Sequence, residues 1–513
     1  MSLKVQQDRV FEFSDYSGEI KDVADVLVVG SGPGGAVVAK ELAEKGHEVI
    51  LLEEGPPFRK KDFNPDAGAT MCRLFREAGM RAARGKAMFP TMQAIALGGG
   101  SVVNSAIAVR PPDWVFDKWS EVAGVELPMS SLESYFDRVE DFLGIIPTEE
   151  DALGERNRLF KKGCDALGIS SEPCPRNVQK CKGSGECFSG CRHGAKKSTD
   201  VSYVPAAIRA GARVYTSVRA EQVVLENGKA TGLKGRVVEP FTLRPGPSVS
   251  LQARKAVVLA AGCMATPQIL MRSQGGVGSS GQVGQNLQFH PGGALMGIWD
   301  HEVNPWEGAT QGYHSLEYLK DGYKLEVLWA PASLLVTRFP GFGHEYKSQL
   351  ERLKHMAPID AIVAATRSKG SVRLRGKSWD PDLRYEMHPE DQKDLHRALL
   401  KIADLIWASG AKSIIPGIHG LPAEITKDQT HLLRDHEFWI GQTTSTCNHA
   451  FGTTRMGTDE KTSVVDQNGR CHHTDNLYVS DSGIIPMSPA VNPMLSIMAL
   501  AHRIADKVHD AVA

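Results

Sequence analysis

The sequence lacks any apolar run near the ~18 residues that a membrane-spanning helix needs. Its first residues, MSLKVQQDRVFEFSD, have neither the apolar core of an export signal nor a twin arginine. A soluble chain, cytoplasmic by default, is therefore expected, and export on a signal-bearing partner subunit stays open. An excess of one charge is also missing. The 59 Lys and Arg against 60 Asp and Glu leave a net charge of -1, so bulk electrostatics offers nothing to nucleic acid. Paired C-x2-4-C knuckles of a zinc site are absent. The cysteines number nine, and an odd total argues against a fully paired disulfide framework.

What is present points to a globular chain too long for one core. The 513 residues suggest two domains, and 51 glycines suggest many tight turns and close backbone approaches. Residues 25 to 55 read DVLVVGSGPGGAVVAKELAEKGHEVILLEEG. The apolar run Val26 to Val29 predicts a buried parallel strand. Gly30, Gly32 and Gly35 follow in G-x-G-x-x-G spacing. The first permits the tight turn, the second a close backbone approach to a pyrophosphate, and the third tight helix packing. A helix is predicted from about Gly34 to Lys45, its N-terminus offering free N–H groups and a positive dipole end. The strand Val49 to Leu52 ends at Glu53, whose carboxylate can accept hydrogen bonds from a ribose diol. This unit alone leaves FAD and NAD both open.

Far along the chain, NLYVSDSGIIP at residues 476 to 486 reads as a strand running into an acid, Asp481, and a turn. Flavin enzymes commonly close their nucleotide domain with such a late strand, the acid reaching the ribityl hydroxyls. By itself Asp481 reads equally as an acid in a surface turn.

Four stretches together resemble the glucose-methanol-choline (GMC) oxidoreductases. They are the Gly30 to Glu53 unit, LGGGSVVNSAIAVRP at 97 to 111, AAGCMATPQILMRS at 260 to 273, and the C-terminal set NHAFGTTRMG, VVD, NLYVSDSGIIP and AVNPMLSIMALAHRIAD between 448 and 506. VGQNLQFHP, residues 283 to 291, is similar to another family stretch. The resemblance implies an α/β fold with a Rossmann-like FAD-binding domain assembled from discontinuous segments, and an α+β substrate domain with an antiparallel sheet. Segments 20–115, 200–299 and 436–513 would form the FAD-binding domain, 116–199 a connecting segment with a Cys-rich loop, and 300–435 the substrate domain. The resemblance also implies that Gly99, Ser101, Asn104, Ala220, Asp481 and Met494 join Gly30, Gly32, Gly35 and Glu53 in holding FAD. No His lies between His47 and His193, so the family's frequent histidyl tether to FAD is not expected here.

The same resemblance implies a catalytic pair. His449 stands before Ala-Phe-Gly-Thr, and Asn492 stands in Val-Asn-Pro-Met. A neutral imidazole can accept the proton of a substrate hydroxyl. A carboxamide can hold the substrate oxygen while a carbon-bound hydride moves to flavin N5. Taken locally, Asn492 before Pro493 reads as a helix N-cap, and His449 as a satisfied core histidine.

Cys181, Cys187 and Cys191 stand as C-x5-C-x3-C among glycines. The spacing is similar to that of the iron-sulfur glucose and fructose dehydrogenases, where three thiolates hold a [3Fe-4S] cluster. A similar Cys-Gly-rich stretch followed by Gly-Ala-Lys also occurs in long-chain alcohol oxidases, where no cluster is generally assigned. A compact loop of reduced thiols, or one disulfide with a spare thiol, are the alternatives.

Between 300 and 435 the flavin motifs stop. Leu395, Leu399, Ile402 and Ile406 recur at helical spacing before Gly410, and residues 370 to 387 read as two strands with a turn. Pro305-Trp306-Glu307-Gly308, Gln311, Glu326 and Pro331 resemble the long-chain alcohol oxidase branch. Trp299, Trp306, Trp329 and Phe339 are candidates for an apolar pocket, with core packing as the bland reading. The expected activity is FAD-dependent oxidation of an apolar or long-chain alcohol, electrons passing to oxygen, a redox protein or a quinone. An iron-sulfur sugar or polyol dehydrogenase is the runner-up, ahead of a lyase on the same fold, an NAD-dependent dehydrogenase and a non-catalytic flavoprotein.

Overall fold

The computed structural model describes residues 9–273, 277, 280–329, 331–339, 341–445 and 447–513. Most of the stretch read above for an export signal, residues 1–8, lies outside the described residues.

The first domain is built on an eight-stranded sheet. Ile20–Val29 pairs in parallel with Val49–Leu52, which pairs in parallel with Arg213–Tyr215. On its other side Ile20–Val29 pairs in parallel with Pro245–Leu259. Val26 to Val29 and Val49 to Leu52 are buried, which explains their continuous apolar runs. The long strand Pro245–Leu259 has two partners along its other edge. Its first half pairs antiparallel with Lys229–Val238, and its last residues pair in parallel with Leu477–Val479. The late strand read in the sequence thus lands in the N-terminal sheet. Helix Pro33–Glu44 packs against Met494–Val512, the C-terminal helix, and both contribute to one apolar core.

The second domain has its own core and a six-stranded antiparallel sheet. Met356–Val363, buried along its whole length, lies between Gly292–Ile298 and Tyr323–Val327. Helix Pro389–Ala408 packs on this sheet with Leu395, Leu399, Ile402 and Ile406 inward. It starts earlier than the periodicity suggests because His388 caps it and Pro389 opens it. The predicted strand pair is Lys369–Arg375 with Ser378–Glu386. Gly292–Ile298 and Glu172–Pro173 both belong to this second sheet. We propose on that basis a domain boundary near residue 291 rather than 299, with the connecting segment lending one strand to the substrate domain.

Candidate active site

The nucleotide-binding end of the first sheet is made of backbone. Gly30 has φ of 97°, and a Cβ there would lie 2.2 Å from the Ala260 carbonyl oxygen. A Cβ on Gly35 would lie 1.8 Å from the oxygen of Gly30. Gly32 caps helix Pro33–Glu44 without a side-chain hydrogen bond, so the amides of the first turn stay free. Gly99 meets it: a Cβ on Gly99 would be 3.0 Å from the Gly32 Cα. The two glycine segments predicted to hold one cofactor are therefore in contact.

The acids at the strand ends share a design. The Glu53 carboxylate accepts from Ser31 N at 3.0 Å, Ser31 Oγ at 2.6 Å and Gly55 N at 2.7 Å. Asp481 accepts from Gly262 N at 2.9 Å, Thr266 Oγ1 at 2.6 Å and Gly483 N at 2.7 Å. Burial pushes both carboxyl pKa values up against these donors. The surface-turn reading of Asp481 is thereby overturned, since the residue is buried and ties its own turn to the stretch 262–266. Each carboxylate keeps acceptor capacity beyond its three protein donors.

Ser101 Oγ donates to the Gly98 carbonyl at 2.7 Å, and Gly98 N donates to Ser31 Oγ at 2.8 Å. Asn104 Nδ2 points at Met494 Sδ, 3.0 Å away. Ala220 is buried in strand Val218–Glu226, whose first amide donates to the Glu53 carbonyl at 2.9 Å. That link is made by Val218, and the Ala220 side chain packs in the apolar core of the first domain. The buried Ser480 Oγ has no hydrogen-bond partner, and a Cβ on Gly34 would meet the Ser480 carbonyl. Free helix amides, a close glycine pair and an unpartnered hydroxyl fit a dinucleotide's diphosphate and sugar.

The reactive side chains converge from four distant segments. His449 is half-buried on the loop before Ala450–Phe451, which pairs with Gln288–Phe289. That pairing brings His290 Nδ1 to 3.1 Å from His449 Nδ1. His290 Nε2 lies 2.5 Å from Ser488 Oγ, which also accepts from Ala490 N at 3.2 Å. Burial pulls the His449 pKa down to about 4, with Glu326 pulling it up and Lys324 further down. His290 is held well below the imidazole range by burial, by His449 and by Lys324. Both rings are neutral at pH 7.

Asn492 is buried, and its Oδ1 accepts from Lys324 Nζ at 2.7 Å. The last helix begins at Met494 with Pro493 at its cap, and no side chain caps it. The local expectation of a simple Asn492 N-cap is therefore corrected, because the amide is drawn to a buried cation instead. Lys324 also donates to Glu326 at 2.7 Å, and Glu326 accepts from Gln311 at 2.5 Å. Sequence reasoning missed His290 and Lys324. His290 stood in a family-like stretch, whereas Lys324 lay in a strand with no local mark.

Cys181, Cys187 and Cys191 line one cavity with Lys196 and Thr310. Arg176 Nη2 donates to Cys187 Sγ at 3.2 Å, and Lys196 Nζ donates to the carbonyls of Asn104 at 2.9 Å and Cys187 at 3.1 Å. Against the burial that pushes it up, Arg176 and Lys196 hold the Cys187 thiol below its ordinary value. Among the described residues, no group of three His, Cys, Asp or Glu side chains is placed to hold a metal ion. The cluster expectation is met only as far as a shared cavity, and no step is derived through a cluster. All nine cysteines are free, so the disulfide alternative is not realised.

The apolar-pocket candidates separate. Trp299 sits in the substrate-domain core, and Phe339 in a satellite cluster with Met296 and Met356. Trp306 and Trp329 border the cysteine loop at Gly185.

Comparison with known proteins settles the family. GMC oxidoreductase family profiles match residues 71–292 and 366–501. This chain belongs to the GMC oxidoreductase family. Residues 25–87 also match a pyridine nucleotide-disulphide oxidoreductase profile, in keeping with the dinucleotide fold. A GMC-type oxidoreductase of Mycobacterium tuberculosis is 34% identical over 94% of this chain and 75% of its own length. A long-chain-alcohol oxidase of Arabidopsis thaliana is 28% identical over 95% of this chain and 67% of its own. The structure of pyridoxine 4-oxidase from Mesorbium loti superposes with a TM-score of 0.73 at 20% identity, covering 95% of this chain and 99% of that one. Formate oxidase gives 0.73 at 17% identity, over 96% of this chain and 99% of that one. These two show a shared fold. The GMC chain described here is an FAD-dependent oxidoreductase of that fold. No helix among its described residues is long and apolar enough to cross a membrane.

Proposed function

We propose that this enzyme oxidises the CH–OH group of an apolar or long-chain primary alcohol to a carbonyl, with His449 as base and Asn492 holding the substrate oxygen. The observation that carries this reading is a buried carboxamide held by Lys324 and a neutral imidazole, paired with His290, that feels the same lysine's charge. FAD, when bound, supplies the two-electron acceptor, held by Gly30, Gly32, Gly35, Gly99, Glu53 and Asp481.

One arrangement of protons suits the role of His449. Its Nδ1–H donates to His290 Nδ1, and His290 Nε2–H donates to Ser488 Oγ. Nε2 of His449 then keeps its lone pair for the hydroxyl proton. The amide of Asn492 orients the oxygen so that the C–H bond faces the acceptor. Likeness to the Arabidopsis long-chain-alcohol oxidases supports an apolar substrate with oxygen as acceptor. A panel of primary alcohols, polyols and sugars, read by anaerobic bleaching of the flavin and then by reoxidation in air, tests the reading. Bleaching by sugars in preference to long alcohols would overturn the substrate class. A flavin that no alcohol bleaches would overturn the reaction.

A further inference from the structure

Lys324 and Glu326 sit at alternate positions of strand Tyr323–Val327 and point to the same side of the sheet. Both are buried: Lys324 is 0% exposed and Glu326 2%. A buried ion pair is weak evidence for stability, since an apolar pair of like volume often serves as well. The pair here makes a third contact that an apolar pair would not, the 2.7 Å hydrogen bond from Lys324 Nζ to Asn492. An ammonium has donors and no acceptor. The amide atom facing it must be oxygen, so the NH2 group is turned the other way. The side-chain orientation of Asn492, ambiguous in an isolated amide, is fixed by this one neighbour.

Resting on the reading of Asn492 given above, we propose that Lys324 is a positioning residue for catalysis, anchoring the Asn492 carbonyl so that its NH2 is presented to the substrate oxygen. Glu326 holds the ammonium in place, and Gln311 in turn holds Glu326. The same cation lies close enough to act on His449 and His290. One buried charge from the substrate domain thereby addresses both halves of the catalytic pair, which are carried by C-terminal segments. A freely rotating amide would present its carbonyl to the alcohol part of the time and repel the alkoxide as it forms.

The test is a double-mutant cycle on the holoenzyme, read by single-turnover flavin reduction with the alcohol that reduces wild type fastest. Lys324→Met with Glu326→Leu replaces the ion pair by apolar side chains without leaving an unpaired charge. Each variant is measured on the pH plateau of its own rate profile. In the wild-type background the pair of changes should slow reduction by ~10–10²-fold, below the full loss of an oxyanion donor. The alcohol concentration for half-saturation should move much less. In an Asn492→Ala background the same changes should slow reduction less than about twofold, because the residue they act through is gone. Equal slowing in both backgrounds would overturn the positioning role and leave Lys324 a structural residue. Asn492→Ala reducing flavin at the wild-type rate would instead sink the reading of Asn492, and the positioning role with it. Should the apolar pair fail to retain FAD, Glu326→Gln is used in the same cycle. It weakens the anchoring of Lys324 and must show the same dependence on Asn492.

Discussion

The nucleotide cradle and the reactive pocket are built from different materials. The cradle is backbone: glycines at 30, 32, 35 and 99, an uncapped helix end, and two acids pinned by main-chain amides. The pocket is side chain: two imidazoles, a carboxamide and an ion pair, drawn from segments near 290, 324, 449 and 492. At Gly30 and Gly35 the packed backbone tolerates no added atom. A side-chain network tolerates substitution sterically but depends on each group's protonation and partner. The first kind of site should fail by losing its cofactor, and the second by losing rate with the cofactor still bound.

The largest effect that would sharpen this contrast is His449→Ala, expected to slow flavin reduction by ~10²–10⁴-fold, the range for a lost general base. Stopped-flow reduction at a near-wild-type rate would take His449 out of the mechanism. Next, Gly34→Ala in the cradle puts a Cβ 1.7 Å from the Ser480 carbonyl oxygen. It should cost about 1–3 kcal/mol of stability, as overpacking does, and lower the flavin-to-protein absorbance ratio. Retention of full flavin content and an unchanged Tm would break the proposed division.

Ser488→Ala removes the acceptor for both His290 and the Ala490 amide and leaves two buried N–H groups unpaired. A loss of about 1–3 kcal/mol for each by denaturant titration is expected, and no loss would show that both find other partners. The pH dependence is subtler. His449 is lowered from the ordinary imidazole value to about 4, so the base stays neutral as pH falls through 6.5. The acid limb of flavin reduction should lie near the lower value, and a limb at 6.5 would contradict the burial of the ring. The linked stability has a definite sign. Between 6.5 and about 4 the unfolded chain binds the proton first, so this group makes stability fall as pH falls, and it contributes no slope above that window. The smallest effect concerns attachment: with no His between 47 and 193, acid precipitation should leave FAD in the supernatant.

Much of the cradle was legible because its determinants are local. Gly30, Gly32, Gly35 and Glu53 lie within one strand-turn-helix-strand unit, where Gly30 and Gly35 answer steric demands of their neighbours. The late strand at 477–479 was also readable, although its place beside Pro245–Leu259 follows from pairing that no local pattern encodes. The pocket was half legible. His449 and Asn492 came from motif resemblance, but the local reading of Asn492 as a helix cap was wrong because a buried lysine competes for the same oxygen. The four aromatic residues read as pocket candidates do not form one wall: Trp299 and Phe339 pack into separate cores, and only Trp306 and Trp329 meet, beside Gly185.

The sequence by itself determined the dinucleotide unit, the two-domain scale and the family, because glycine spacing and apolar runs act over a few residues. Only the tertiary structure decided which partner each reactive side chain meets. Lys324 and Asn492 are far apart in the chain, and hydrogen bonding between buried groups depends on where the folded backbone sets them, a long-range outcome with no periodicity to announce it.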